Sequence, residues 1–79
     1  MEFQITKAAI KSLKRLDART RDRILSGIYK LPDGDIKRLQ GYTSYYRLRI
    51  GDFRIIYTCK ANIITIAAVL PRGEVYKHI

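Results

Sequence analysis

The chain contains no tryptophan, one cysteine, one histidine, two prolines and seven acidic residues. Each shortage excludes something. A single cysteine, Cys59, cannot close an internal disulfide, so this is not a stapled secreted scaffold, and a reducing compartment fits better. The place of Cys59 in a strand suggests packing, and with no histidine nearby it is not read as a nucleophile. The lone histidine, His78, leaves no Ser-His-Asp order to build. Together with Cys59 and scattered carboxylates it offers no recognisable metal-ligand set, and there is no glycine-rich phosphate loop, so neither a metal nor a cofactor is expected. Asp33-Gly34-Asp35 resembles a fragment of a calcium loop but lacks the rest of that motif and reads as a turn. The longest apolar run, "IITIAAVL", falls far short of the roughly 20 residues a membrane helix needs. "MEFQITKAAIK" has no apolar stretch of signal-peptide length. The expectation is a soluble, cytoplasmic protein with no membrane partner.

What the sequence has in abundance is positive charge. Sixteen Lys and Arg against seven Asp and Glu give a formal net charge of +9 and a pI near 10.1, while 47% hydrophobic content excludes a disordered basic tail. A folded cation of this kind implies an anionic partner: nucleic acid, an acidic membrane surface or an acidic protein. At 79 residues, residues 1–79 are expected to form a single domain that buries only roughly 60–65% of its unfolded surface.

The periodicity changes along the chain. "MEFQI" alternates polar and apolar residues and suits a short strand. From Thr6, Ala9, Ile10, Leu13 and Leu16 recur at helical spacing, and after Asp17, a good N-cap, Ile24, Leu25, Ile28 and Leu31 do the same until "LPDGD" stops the helix. Tyr45 to Ile50 and Phe53 to Thr58 read as two strands joined by Gly51-Asp52, a pair suited to a two-residue hairpin turn with positive φ. "NIITIAAVL" reads as a buried strand. The order is β-α-α-β-β-β, an α+β fold in which a helical hairpin packs on one face of a small antiparallel sheet.

Counting outward from the turn pairs Ile50 with Phe53, Arg49 with Arg54, Leu48 with Ile55 and Arg47 with Ile56. Tyr46, Leu48, Ile50, Phe53, Ile55 and Tyr57 then share a core face that meets Ile10, Leu13, Ile24 and Ile28 of the helices. Arg47, Arg49 and Arg54 share the other face with Tyr45, Ile56 and Thr58. Like charges directly opposite each other destabilise a sheet, so folding alone does not favour Arg49 against Arg54. An anion on that face would.

The closing "PRGEVYKHI" adds Arg72, Tyr76, Lys77 and His78. If this segment turns at Pro71 and Gly73 onto the arginine face, the arginines offer forks matched to phosphate oxygens and Tyr76 offers a ring on which an unstacked base can lie, a combination suited to RNA. Such a site can also cleave. RNA carries its own nucleophile in the 2′-hydroxyl, so aligning that oxygen and stabilising the charge accumulating at the phosphate need no metal.

At these residues the sequence resembles the RelE branch of the RelE/ParE superfamily of type II toxin-antitoxin toxins. The resemblance covers nearly the whole chain and is most specific at "LQGYTSYYRLRIGDFRIIY" and "VLPRGEVYK". It implies a ribosome-dependent endoribonuclease, an mRNA interferase that cuts message in the A site of the 70S ribosome. It also implies a cognate antitoxin, acidic where it meets the arginines. Carried over position by position, it makes Arg47 and Arg54 phosphate stabilisers, Arg72 a transition-state stabiliser or general acid, and Tyr76 a stacking residue. Arg49 falls where the founding member has a lysine proposed as general base, and arginine is a poor base at neutral pH. Proton abstraction is left to Arg49, Lys77, His78 or no protein base at all. Arg38 is expected to hold RNA, and Lys77 and His78 join it as RNA-binding candidates. The alternatives are a DNA gyrase poison of the ParE branch and a ribosome or RNA binder that does not cleave.

Overall fold

The computed structural model describes residues 2–39 and 45–71. Five strands and two helices follow in the order β1 (Glu2–Ile5), α1 (Lys7–Lys14), α2 (Ala18–Tyr29), β2 (Asp35–Arg38), β3 (Tyr45–Ile50), β4 (Phe53–Lys60) and β5 (Ile63–Pro71). The strands lie side by side as β1-β5-β4-β3-β2. β1 runs parallel to β5, while the other neighbours are antiparallel. The sheet is therefore mixed and five-stranded, where the sequence suggested four antiparallel strands.

Both differences have a physical origin. β2 contributes one apolar residue, Ile36, among four, too few for an alternating pattern to stand out. The direction of β1 follows from the helical hairpin that carries the chain away from it, and such a path is invisible to periodicity.

The β3–β4 register matches the expected one pair for pair, including Arg49 opposite Arg54. Gly51 takes φ +55° at the turn, whereas Asp52 does not adopt positive φ. The β4–β5 turn has Ala61 at φ 50° and Asn62 at φ 65°, the mirror-image geometry that matches the twist of a hairpin.

One apolar cluster joins the helices to one side of the sheet: Ala9, Leu13, Ile24 and Ile28 against Leu48, Ile55, Ile64, Ile66 and Val69. Ile10, expected in that core, is 40% exposed, and the smaller Ala9 is the buried residue of that turn. The α2 stripe lies so close to β3 that a Cβ on Gly27 would collide with the Ile50 side chain. Cys59, expected to pack, is exposed near the end of β4.

Thr6 ties the first helix to the sheet. Its hydroxyl accepts from the Ala9 amide at 3.2 Å as N-cap of α1 and donates to the Ala67 carbonyl at 3.1 Å, while its own amide donates to Ile66 at 3.1 Å. Ala67 is the unpaired residue of a β5 bulge, since Ile56 faces Ala68 and Tyr57 faces Ile66. Thr6→Val removes both hydroxyl bonds with little change of shape. It is expected to cost about 1–3 kcal/mol in urea unfolding, whereas Thr6→Ser should retain most of the stability.

Candidate functional site: the arginine face

Alternation along β3 and β4 turns Arg47, Arg49 and Arg54 away from the helices onto the opposite side of the sheet. β2 extends that side: Asp35 pairs with Arg49 and Lys37 with Arg47. Sequence reasoning missed both, because it read the start of β2 as a turn. The Arg47 guanidinium lies 3.5 Å from the Asp35 carboxylate, one step diagonally across the strands. The rest of its side chain is largely covered, and its Nε is buried with no hydrogen-bond partner among the described residues. A buried orphan donor costs about 1–3 kcal/mol, which an anionic oxygen delivered to it would relieve.

The face is not wholly polar. Ile56 and Ala68, partners across β4 and β5, are 3% and 7% exposed and lie outside the main core cluster. They form an apolar floor beside the arginines. At the hairpin end a cavity of about 170 Å³ is lined by Arg49, Gly51, Asp52, Phe53 and Arg54. Two guanidinium groups facing each other across adjacent strands there concentrate positive potential, so the cavity favours an anion with several oxygens over a neutral ligand.

Arg38 stands apart. It pairs with Tyr46, a residue packed against the helix-side core, and this register places Arg38 on the opposite side of the sheet from Arg47, Arg49 and Arg54. It is exposed on the edge strand β2. Arg72, Tyr76, Lys77 and His78, and the expected turn of the closing segment, lie outside the described residues. No group of three or more metal-ligating side chains occurs among the described residues, and no helix there is long and apolar enough to cross a membrane.

The helix side carries a second feature. The rings of Tyr46 and Tyr57 stack at 5.4 Å with planes 22° apart, and with Pro32, Ile36, Cys59 and Ile64 they line an apolar cavity. Burial, reinforced by the neighbouring Tyr46 and Cys59, raises the Tyr57 hydroxyl to about 12. The folded value exceeds the unfolded value of about 10, so this stabilising contribution is fully present below pH ~10 and is lost as pH rises towards 12. Wild type is therefore expected to lose more stability between those pH values than Tyr57→Phe, a difference that thermal unfolding at matched pH would measure.

A family model described as the ParE toxin of the type II toxin-antitoxin system parDE matches residues 3–76. The chain is also 30% identical to Toxin RelE3 of Methanocaldococcus jannaschii, over 99% of this chain and 98% of the relative. It belongs to the RelE/ParE family of type II toxins. A chain of the archaeal RelE-RelB complex from Pyrococcus horikoshii is 28% identical, with a TM-score of 0.78 over 94% of this chain and 97% of that one. The RelB-RelE antitoxin-toxin complex from Methanococcus jannaschii gives 29% identity and a TM-score of 0.74 over 86% and 88% of the two chains. A RelE/ParE toxin is one half of a toxin-antitoxin pair, so an antitoxin is a partner of this chain.

Proposed function

We propose that this toxin is a ribosome-dependent mRNA interferase that breaks message in the A site by attack of the ribose 2′-hydroxyl. The observation that carries the reading is the arginine face. Arg49 and Arg54 oppose each other at a cost to the sheet, and Arg47 beside them keeps a buried Nε without a partner among the described residues. A phosphate in the act of transfer, with excess charge on its oxygens, answers both.

In this reading the 2′-oxygen forms a bond to phosphorus as the bond to the 5′-oxygen breaks, leaving a 2′,3′-cyclic phosphate and a 5′-oxygen that takes a proton from Arg72 as general acid or from water to become a hydroxyl. Arg47, Arg54 and Arg72 stabilise charge on the phosphate oxygens, and Arg49 completes the cationic wall. Tyr76 holds the adjacent base by stacking, while Arg38, Lys77 and His78 hold RNA. Either a side chain such as Lys77 or His78 or the ribosomal surroundings accept the 2′-proton. The antitoxin meets the arginines with acidic side chains, and the toxin acts in the cytoplasm.

The family model's description as a ParE toxin favours a second reading: the same fold directed at DNA gyrase, with the arginine face as a protein-binding surface. One experiment separates them. Purified toxin is added to end-labelled mRNA, free and threaded on ribosomes with an empty A site, and in parallel to gyrase with supercoiled plasmid. Cleavage confined to ribosome-bound message, ending in a cyclic phosphate and lost in Arg72→Ala, is the expected result. Intact message with linearised plasmid would overturn it in favour of the gyrase reading.

A further inference from the structure

The site described so far draws its cations from the strands, but a helix also reaches the hairpin tip. Arg23 precedes Gly27 by four residues, so the two share one stripe of α2. Gly27 lies against Ile50 and Arg23 against the next residue, Gly51. A Cβ placed on Gly51 would sit 3.2 Å from Nη2, 3.3 Å from Cζ and 3.3 Å from Nη1 of Arg23. Near-equal distances to the central carbon and two of its nitrogens mean that the guanidinium lays its flat face on the glycine. Its N–H edge is then left pointing sideways, and no carboxylate among the described residues pairs with it. Gly51 also lines the cavity formed with Arg49 and Arg54, to which Asp52 contributes one carboxylate. Gly51 thus touches the Arg23 guanidinium and also borders the cavity that Arg49 and Arg54 line.

We propose that this hairpin tip is a grip for the RNA backbone. One phosphate occupies the cavity beside Arg49 and Arg54, the strand passes over Gly51, and a neighbouring phosphate is held by Arg23. Glycine at position 51 serves the positive φ of the turn and also leaves the guanidinium its place, since a Cβ there would shift it by a few tenths of an ångström. Arg23 is a substrate-binding residue contributed by the helical layer, outside the set of positions that the family resemblance marks. The proposal rests on the reading that the substrate is RNA.

The test measures binding of a 2′-O-methyl RNA oligonucleotide, which cannot be cleaved, to the full chain across a salt series. Arg23→Gln is expected to weaken binding about tenfold, the worth of a charged hydrogen bond, and to lower the slope of log affinity against log salt by about 0.7, the share of one phosphate on a single strand. Arg23→Lys should keep the slope because it keeps the charge. On ribosomes Arg23→Gln should raise KM with kcat unchanged. An unchanged salt slope in Arg23→Gln overturns the proposal. So does wild type that binds no RNA, and weakened antitoxin binding with RNA binding intact would give the tip to a protein partner instead. Cleavage by wild type is scored separately. If wild type does not cleave but Arg23→Gln still loses slope, the nuclease reading fails and the grip stands. If wild type cleaves and the slope does not move, the grip fails and the nuclease reading stands.

Discussion

Arg54→Ala is expected to lower the single-turnover rate of cleavage of ribosome-bound message by about 10²–10³, the usual cost of removing one donor aimed at developing charge. Arg54→Lys should recover part of that, because it restores the charge but not the two-pronged fork. Arg49→Ala gives a sharper signature, with two effects of opposite sign. Its side chain is exposed and faces Arg54 directly, so truncation removes a like-charge contact and should raise unfolding stability by a few tenths of a kcal/mol while cleavage falls. A catalytic residue that is also a structural liability leaves that pattern, whereas a solvated arginine with no task leaves both measurements where they were.

The second large effect is on stability. Ile55 is fully buried at the centre of β4, between Leu48 of β3 and Val69 of β5 and beneath the helices. Ile55→Ala removes three carbons from that position and is expected to cost about 2–5 kcal/mol. A chain of this length has a total stability of about 4–12 kcal/mol, so one substitution can remove a large share of it. Urea unfolding should show the midpoint falling with the slope unchanged; a loss under 1 kcal/mol would mean that the helices do not seal this part of the sheet.

The parts of the fold legible in the sequence were those governed by local rules. Gly51 announced the turn, and once the turn was placed, alternation alone fixed every β3–β4 pair and the side on which Arg47, Arg49 and Arg54 lie. Asp17 announced the cap of α2, where its carboxylate accepts from the Thr20 amide at 3.1 Å and the Thr20 hydroxyl at 2.6 Å. Those hydrogen bonds, the hydroxyl's first, hold the Asp17 carboxyl below its ordinary value. What stayed hidden depends on contacts distant in sequence. β2 is a strand because β3 offers it partners. Ala9 replaces Ile10 in the core because helix rotation is set by the sheet below it. Cys59 is exposed although Ile64, its direct partner on β5, is buried in the core. Arg23 gave no signal at all, since nothing in its neighbours says that a helix will bring it to a turn nearly thirty residues away.

The order of strands also has a consequence for how the toxin comes into being. β5 lies between β1 and β4, so the first strand made has no partner until the last one arrives, and Glu2 waits for Ile63. Pairings of such long sequence separation close slowly, because the loop entropy is lost before the contacts compensate. During synthesis the β2–β4 meander can form while β1 and the helices still lack most of the surface they cover. The protein cannot assume its finished shape until β5 is free to enter between β1 and β4, so the toxin's fold is closed by its last described strand.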